Sequence, residues 1–400
     1  MREAGANRSP LVGIIANPVS ARDIRRVVAN ANSLQLADRV NIVLRAMAAL
    51  GACGVTRVLM MPDREGLKPM LERHLARERA AASASHTWPQ LEWLAMPTTA
   101  SVDDTFQAAR LMREAQVAAI VVLGGDGTHR AVVRECGQVP IAGLSTGTNN
   151  AYPELREATL AGLAVGLYAT GRIAPDAALT FNKRLDVTLK AASGAVRDDI
   201  ALVDVAIARE HYIGAKALWR TDSLAAVYLA FADPEAIGLS SIGGLLAPLG
   251  RYEPGGLHVQ LSAAQPSEPG QCDERGAPTG HAPLFHLHAP IAPGLLQPVP
   301  VYGWQRLVDG EPVRVRERNG VVALDGEREI TFGPTDHLSI TLRERAFRSI
   351  AVAACLRYAA LHGLLRGRPG LALATGVPPH GTAEAAGAAP APPAPFPSPL

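Results

Sequence analysis

The chain has 400 residues, and its 39 lysines and arginines against 37 aspartates and glutamates give a formal net charge of +2. This balance argues against a dedicated nucleic-acid-binding protein, which usually carries a basic surface. A hydrophobic fraction of 48% excludes disorder along the whole chain, and the length favours two or three domains. No apolar run approaches the roughly 18 residues of a membrane span, so we expect no membrane partner.

The cysteines and the N-terminal segment indicate a cytoplasmic protein. The four cysteines are scattered, without the paired spacing of a metal site. We therefore expect reduced thiols. The apolar stretch near the N-terminus ends at Asn17-Pro18 and is too short for a signal peptide.

The first 150 residues or so alternate between strand and helix patterns. Apolar runs typical of buried strands cover residues 11–15, 55–61, 91–96, 117–123 and 141–144. Helix patterns cover residues 36–50 and 129–135, and a third pattern follows a capping box at Ser101 and Asp104. The first pattern stops at Gly51. The run at 117–123 is apolar throughout, as in a central parallel strand. The alternation predicts a doubly wound α/β nucleotide-binding domain.

The pattern of predicted strands and helices changes after about residue 158. Short β-rich runs separated by proline and glycine predict a second, mainly β, sandwich-like domain over residues 159–344. Residues 345–365 show a helical pattern, and we expect a C-terminal helix within 345–368 that packs back on the α/β domain of residues 1–158. The alanine- and proline-rich residues 369–400 predict a disordered tail.

The most informative segment follows the strongest strand. Residues 124–128 are Gly-Gly-Asp-Gly-Thr, directly before a helix pattern. Such a turn lets backbone N–H groups approach phosphate oxygens and directs the helix N-terminus at the anion. Asp126 beside a polyphosphate is explained if it helps to hold Mg²⁺ or accepts a proton from an attacking hydroxyl. Taken alone, the segment is equally compatible with a tight turn.

Two further polar turns support a nucleotide site. Residues 145–150, which include Thr148, Asn149 and Asn150, follow the next strand, and Asn17 and Ser20 follow the first strand. Turns at the carboxyl ends of neighbouring parallel strands face one crevice. His129, next to Thr128, either reaches a phosphate or lies solvated at the helix start; both interpretations stay open.

These residues resemble the NAD kinase and diacylglycerol kinase superfamily, in which an Asn-Pro-x-Ser turn, a GGDGT turn and a later Gly-x-Asn turn occur in this order. Within it, the sequence is most similar to the ATP-NAD kinase-like branch that includes acetoin-catabolism proteins. The resemblance covers about residues 11–345. It implies an α/β nucleotide domain followed by a β-sandwich-like domain, with phosphoryl transfer from ATP to a hydroxyl in the cleft between them.

The resemblance also implies roles for single residues. Asp126 matches the proposed base of the family, and Asn149 matches the asparagine of the Gly-x-Asn turn. Asp204 matches the acidic member of an Asn-(Asp/Glu) pair. The phosphate-binding turn of the family is matched by Gly124, Gly125, Gly127 and Thr128.

Two departures from the family pattern concern the acceptor. Val203 replaces the asparagine of the Asn-(Asp/Glu) pair, and residues 233–236 replace the start of a Thr-Pro-Thr-Gly-Ser turn. One missing hydrogen bond to a buried base costs about 1–3 kcal/mol, so the acceptor could differ from NAD. The later segment Leu324-Asp-Gly-Glu327 is as compatible with a plain hairpin turn as with a nucleotide contact.

We therefore expect an ATP- and Mg²⁺-dependent kinase whose acceptor is NAD or a related dinucleotide. The resemblance also implies a homo-oligomer. Its ligands are small nucleotides, not nucleic acid. One alternative is a catalytically silent nucleotide-binding regulatory protein of acetoin catabolism. Another is a lipid kinase of the diacylglycerol type, although such relatives usually carry an acidic residue where this chain has Asn150.

Overall fold

The computed structural model describes residues 10–16, 35–80, 87–146, 150–154, 156–209, 223–263 and 282–366. Strands and helices alternate in the first half of this part of the chain. Their bounds are β1 Leu11–Ala16, α1 Leu36–Ala52, β2 Arg57–Met60, α2 Leu67–Ala80, β3 Gln90–Trp93, α3 Val102–Glu114, β4 Ile120–Gly124, α4 Asp126–Glu135, β5 Ile141–Ser145 and α5 Ala158–Ala169.

The second half of the described chain consists mainly of strands. Its elements are α6 Pro175–Ala178, β6 Leu179–Lys190, β7 Val196–Ala201, β8 Asp204–Ala208, β9 Leu224–Leu229, α7 Ser240–Leu246, β10 Gly256–Gln260, β11 Phe285–Ala292, β12 Leu295–Val301, β13 Gly303–Leu307, β14 Pro312–Arg314, β15 Gly320–Leu324, β16 Glu327–Phe332, β17 His337–Ile350 and α8 Val352–Leu361.

The first five strands form a parallel sheet in the order β3-β2-β1-β4-β5. The strand order reverses between β1 and β4, and ligands of open α/β sheets bind at the carboxyl ends of the strands around such a switch point. Gly124 is the last residue of β4, so the glycine-rich turn lies at this edge of the sheet.

The same sheet continues into the second half of the chain. β17 pairs antiparallel with β6, β6 pairs antiparallel with β7, and Ser349 of β17 pairs in parallel with Ile141 of β5. A second, antiparallel sheet has the order β13-β10-β9-β8-β15-β16. The β11–β12 hairpin packs beside it, against α7. The predicted fold class, an α/β nucleotide-binding fold followed by a mainly β part, is confirmed.

Apolar side chains cover both faces of the parallel sheet. Val121 and Leu123 of β4 pack among the helices, whereas Ile120 and Val122 belong to the core that also fills the space between the two sheets. All five residues of β4 are buried. The prediction of a central strand covered on both faces is therefore confirmed.

The structure corrects several sequence predictions of local structure. Residues 345–350 are not helical, because they continue β17 and pair with β6; the helix begins only at Val352. This helix, α8, packs against α5 and α6. Helix α5 shows that the mainly β part of the chain does not start directly after residue 158. The domain boundary at that residue stays a prediction.

Two further details concern helix ends. Gly51 does not stop α1, which continues to Ala52. At α3, Ser101 caps the helix by accepting the N–H of Asp103, but Asp104 accepts the N–H groups of Thr99 and Ala100, so the predicted capping box is not formed. None of the helices in the described ranges is long and apolar enough to cross a bilayer.

Candidate active site

The Gly-Gly-Asp-Gly-Thr segment forms the junction between β4 and α4. Gly125 is the N-cap residue of α4 in an extended conformation, and Asp126 is the first residue of the helix. Helix α4 therefore begins three residues earlier than the sequence pattern predicted. The first N–H groups of a helix lack partners within it and favour a bound anion. The turn thus has the backbone arrangement that binds phosphate.

One of the three glycines is also required by packing. A Cβ atom on Gly124 would lie 2.5 Å from Cβ of Thr128, and one on Gly125 would lie 2.7 Å from Oδ1 of Asn150. A Cβ atom on Gly127 would meet nothing closer than Oε1 of Glu327 at 3.7 Å. Packing therefore explains Gly124, whereas at Gly125 only the end of the Asn150 side chain would have to shift, and packing does not explain Gly127.

Backbone amides from the second turn hold the Asp126 carboxylate. Oδ2 accepts the N–H of Ala151 at 3.0 Å, and Oδ1 accepts the N–H of Tyr152 at 2.8 Å. Asn150, next to them, donates from Nδ2 to Oγ of Ser145 at the end of β5. The turns after β4 and β5 are therefore in contact, and the orientation of the carboxylate is fixed.

A turn from the second sheet approaches the same helix. Asp325 and Gly326 join β15 to β16 with positive φ angles of 49° and 79°, the conformation of a tight hairpin turn. The Asp325 carboxylate accepts the N–H groups of Leu202, Val203 and Asp204 at 2.8 to 3.3 Å. It thereby fixes the start of β8.

Arg130 connects α4 to this turn electrostatically. Its Nε lies 4.0 Å from Oδ2 of Asp325, and Nη1 lies 3.8 Å from Oδ1 of Asp199 on β7. Burial raises the pKa of the Asp325 carboxyl to about 6; the Arg130 charge opposes this rise, and the Asp126 charge adds to it. Arg130 thus joins α4 to the Asp325 turn, so both halves of the chain contribute to one site.

His129 lies inside the protein rather than at its surface. Its side chain is fully buried, and Nδ1 is 2.9 Å from the carbonyl oxygen of Gly125. Burial lowers the pKa of His129 to about 4, so the ring is neutral at pH 7. A Cβ atom on Gly143 would lie 2.8 Å from Nε2. The interpretation of His129 as a solvated helix-start residue was therefore wrong; its ring supports the turn from within the core.

The structure brings most of the sequence-predicted site residues together. Asp204, which is buried, begins β8 beside the Asp325 turn. The residues at or against the N-terminus of α4 are Gly124, Gly125, Asp126, Gly127, Thr128 and Asn150. Asn17, Ser20, Thr148 and Asn149 lie outside the described residues. The roles assigned to all of these residues stay predictions.

Two arginines were missed in the sequence: Arg130, and Arg251, which donates to the carbonyl oxygens of Ala151 and Tyr152 next to Asp126. Arg130 lies inside a helix pattern and Arg251 in a connecting segment, and neither has a local motif. The Asp325 turn carried a recognisable signal, the Asp-Gly pair between two apolar runs. The structure shows that it is a hairpin turn that also borders the candidate site.

The comparisons with known proteins fit this arrangement. The family model for the ATP-NAD kinase N-terminal domain matches residues 12–173, and the model for the acetoin catabolism protein X C-terminal domain matches residues 183–345. The sequence is 64% identical over 366 residues to acetoin catabolism protein X of Cupriavidus necator, covering 92% of this chain and 97% of that protein. The chain belongs to the acetoin catabolism protein X family. The resemblance noted in the sequence is confirmed.

Solved structures with similar chains include a NADH kinase and a putative diacylglycerol kinase. Yeast NADH kinase in complex with NADH is 12% identical, with 90% of each chain covered and a TM-score of 0.44. A putative diacylglycerol kinase from Bacillus anthracis str. Sterne is 11% identical, with 86% of this chain and 97% of that chain covered and a TM-score of 0.43.

Proposed function

We propose that this protein transfers a phosphoryl group from ATP to a hydroxyl of NAD. The observation that carries the proposal is the Asp126 carboxylate at the N-terminus of α4, held by the amides of Ala151 and Tyr152. The helix dipole stabilises a carboxylate at this position, but a phosphate bound at the same helix start would repel it unless the carboxylate acts on the reacting group. Membership of a family with an ATP-NAD kinase N-terminal domain supports the same activity.

In the proposed reaction, the N–H groups at the start of α4 bind phosphate oxygens, and Asp126 orients the attacking hydroxyl. The hydroxyl oxygen forms a bond to the γ-phosphorus, the bond to the β,γ-bridging oxygen breaks, and ADP leaves. Asp126 accepts the hydroxyl proton. The rate enhancement comes mainly from positioning and from fixed dipoles, which is why a rigidly held carboxylate matters.

The residues present fit a Mg²⁺ ion that accompanies ATP. Such an ion takes most of its ligands from phosphate and water and only one or two from carboxylates. Within the described residues, no group of three or more His, Cys, Asp or Glu side chains could hold a metal ion. Glu327, which lies over Gly127, is the carboxylate that would hold it while Asp126 acts as the base. The ion would neutralise charge on the transferred group.

A second candidate, a nucleotide-binding regulatory protein without turnover, is favoured by one observation. Val203, at the position of the family's asparagine, has a buried side chain, and its backbone N–H donates to Asp325. Its side chain therefore offers no hydrogen bond to a dinucleotide. Such a protein would bind NAD, NADH or ATP in calorimetry, with no product by mass spectrometry.

The test measures the rate of NADP formation by purified wild type and by Asp126→Asn. ATP is the phosphate donor in the first assay and polyphosphate in the second. We expect the variant to lose about 10²- to 10⁴-fold in kcat. Asp63→Asn is the matched control, because Asp63 also accepts two backbone amides, those of Leu67 and Lys68, at the start of α2. It should lose stability only.

Each alternative outcome identifies a different function. Equal rates in wild type and Asp126→Asn exclude Asp126 from the chemistry. A wild type that makes no NADP with either donor excludes NAD as acceptor, and phosphorylation of diacylglycerol micelles would identify a lipid kinase. Nucleotide binding without any product supports the regulatory protein.

A further inference from the structure

Arg251 reaches from the second half of the chain to the segment that holds Asp126. It lies between α7 and β10, and its Nη2 donates to the carbonyl oxygens of Ala151 at 2.8 Å and Tyr152 at 2.7 Å. The guanidinium carbon lies 4.9 Å from the ring centre of Tyr152 and 5.0 Å from that of Phe231. Arg251 is thus fixed by two hydrogen bonds and by two aromatic rings.

The two residues that Arg251 contacts are the two whose N–H groups bind Asp126. Ala151 and Tyr152 therefore accept from Arg251 on their carbonyl side and donate to the Asp126 carboxylate on their amide side. Hydrogen bonds in such a chain polarise one another, and a donor that carries charge forms the stronger bonds. A short relay of two residues links the guanidinium to the carboxylate.

The segment that carries Arg251 is itself anchored. Lys183 on β6 donates from Nζ to the carbonyl oxygens of Gly250 and Gly255 at 3.2 and 2.8 Å, and the N–H of Gly255 donates to Oε1 of Glu344 on β17 at 2.6 Å. A group held by a fixed second layer keeps its geometry better than one on an unsupported loop. The position of Arg251 is thus set by β6 and β17.

We propose that Arg251 is a positioning residue that fixes the Asp126 carboxylate in its reactive orientation through Ala151 and Tyr152. The catalytic part of this inference rests on the proposed function; the structural part does not. Both hydrogen bonds of Arg251 go to backbone carbonyls rather than to a carboxylate, so its charge acts on this segment. Loss of the link leaves Asp126 present but less well aligned, and a misplacement of about 1 Å can reduce the rate about 100-fold.

The first test measures hydrogen exchange and needs no turnover. In Arg251→Met, the amides of Ala151 and Tyr152 should exchange at least about tenfold faster than in wild type. We expect the same in Asp126→Asn, because the substitution weakens the side-chain acceptor of these two amides. Arg348→Met is the matched control, because Arg348 also donates from Nη2 to a backbone carbonyl, that of Gln138, at 2.8 Å. Wild-type exchange at residues 151 and 152 in Arg251→Met would overturn the proposal.

The second test separates positioning from substrate binding and from folding. We expect Arg251→Met to lower kcat about 10- to 100-fold while KM for ATP and NAD changes less than about threefold. Arg251→Lys, which retains the charge, should be intermediate. Guanidinium chloride at low millimolar concentration should restore part of the rate in Arg251→Ala, because Arg251 borders a cavity of about 50 Å³.

The outcomes of the two tests are distinguishable. An unchanged kcat in a folded Arg251→Met variant contradicts the proposal. A rate loss that neither Lys nor guanidinium restores, together with a lowered melting temperature, indicates general destabilisation and also contradicts it. If the wild type shows no kinase activity, the proposed function fails, and the exchange measurement still decides whether Arg251 holds the Asp126 segment.

Discussion

At the scale of single residues, Gly127 and Gly124 should respond differently to alanine. A Cβ atom on Gly127 meets nothing within 3.7 Å, whereas one on Gly124 lies 2.5 Å from the buried Thr128. We expect Gly127→Ala to leave the unfolding free energy unchanged or to raise it by up to about 1 kcal/mol, but to weaken ATP binding at least about tenfold. Gly124→Ala should destabilise the protein by about 1–3 kcal/mol.

Urea unfolding and calorimetric titration with ATP measure the two effects separately. The Gly124 variant controls for distortion of the turn, since its loss of affinity should accompany a loss of stability. If Gly127→Ala bound ATP as tightly as wild type, the backbone of this turn would not approach the phosphates, and the assigned nucleotide site would be wrong.

The sequence could predict the contact between the two turns but not the groups that hold them. Gly125 and Asn150 follow neighbouring parallel strands, and strand ends share one edge of a sheet, so their proximity follows from local patterns. The bond from Arg251 to Ala151 joins residues 100 positions apart. No local pattern marks such a contact, because it depends on how the second sheet packs on the first.

At the scale of elements, the hairpin turn between β15 and β16 gives a pH-dependent stability. The pKa of Asp325 is raised to about 6 from its ordinary value of 3.8, so the folded state binds this proton more tightly than the unfolded state does. The contribution of Asp325 to the free energy of unfolding is therefore greatest below pH 4 and is lost as pH rises through 6. Between pH 4.5 and 7 the loss is about 2 kcal/mol.

Asp325→Asn should remove this pH dependence, because an amide cannot ionise. At pH 4.5 the Asp325 carboxyl is protonated in the folded state, so variant and wild type should differ little in stability there, and the variant should gain about 2 kcal/mol over wild type by pH 7. Urea unfolding at both pH values measures it. Asp336→Asn, in the exposed turn at Gly333, is the control; a parallel shift in both variants would contradict the assignment to Asp325.

Elements with local partners were predictable, and elements with distant partners were not. β4 was recognised because a run that is apolar at every position needs cover on both faces. Residues 345–350 have helical spacing, yet they form a strand because β6 offers a partner there, with Ser349 opposite Thr180. Pairing across about 170 residues outweighed the local preference.

At the scale of the whole molecule, the parallel sheet and the second half of the chain depend on each other. Ile120 and Val122 share one core with Leu185 and Phe347, and on the other face α5 packs against α8. The edge of β5 is paired with β17 through Ile141 and Ser349. Residues from both ends of the chain therefore complete the layer that carries the glycine turn.

A fragment of residues 1–173 should consequently fail to fold as a stable monomer. It retains β1 to β5 and α5 but exposes the β5 edge and the apolar faces that β17, β6 and α8 cover, and exposed edges and apolar patches promote aggregation. The whole chain should unfold in one calorimetric transition. Size exclusion and near-ultraviolet circular dichroism of the fragment test this, and co-expression with residues 174–366 should restore a soluble complex. The opposite outcome is a monomeric fragment that unfolds cooperatively, with a transition temperature that ATP raises. It would show that the nucleotide site is complete without the second half of the chain and does not need Arg251 or Asp325.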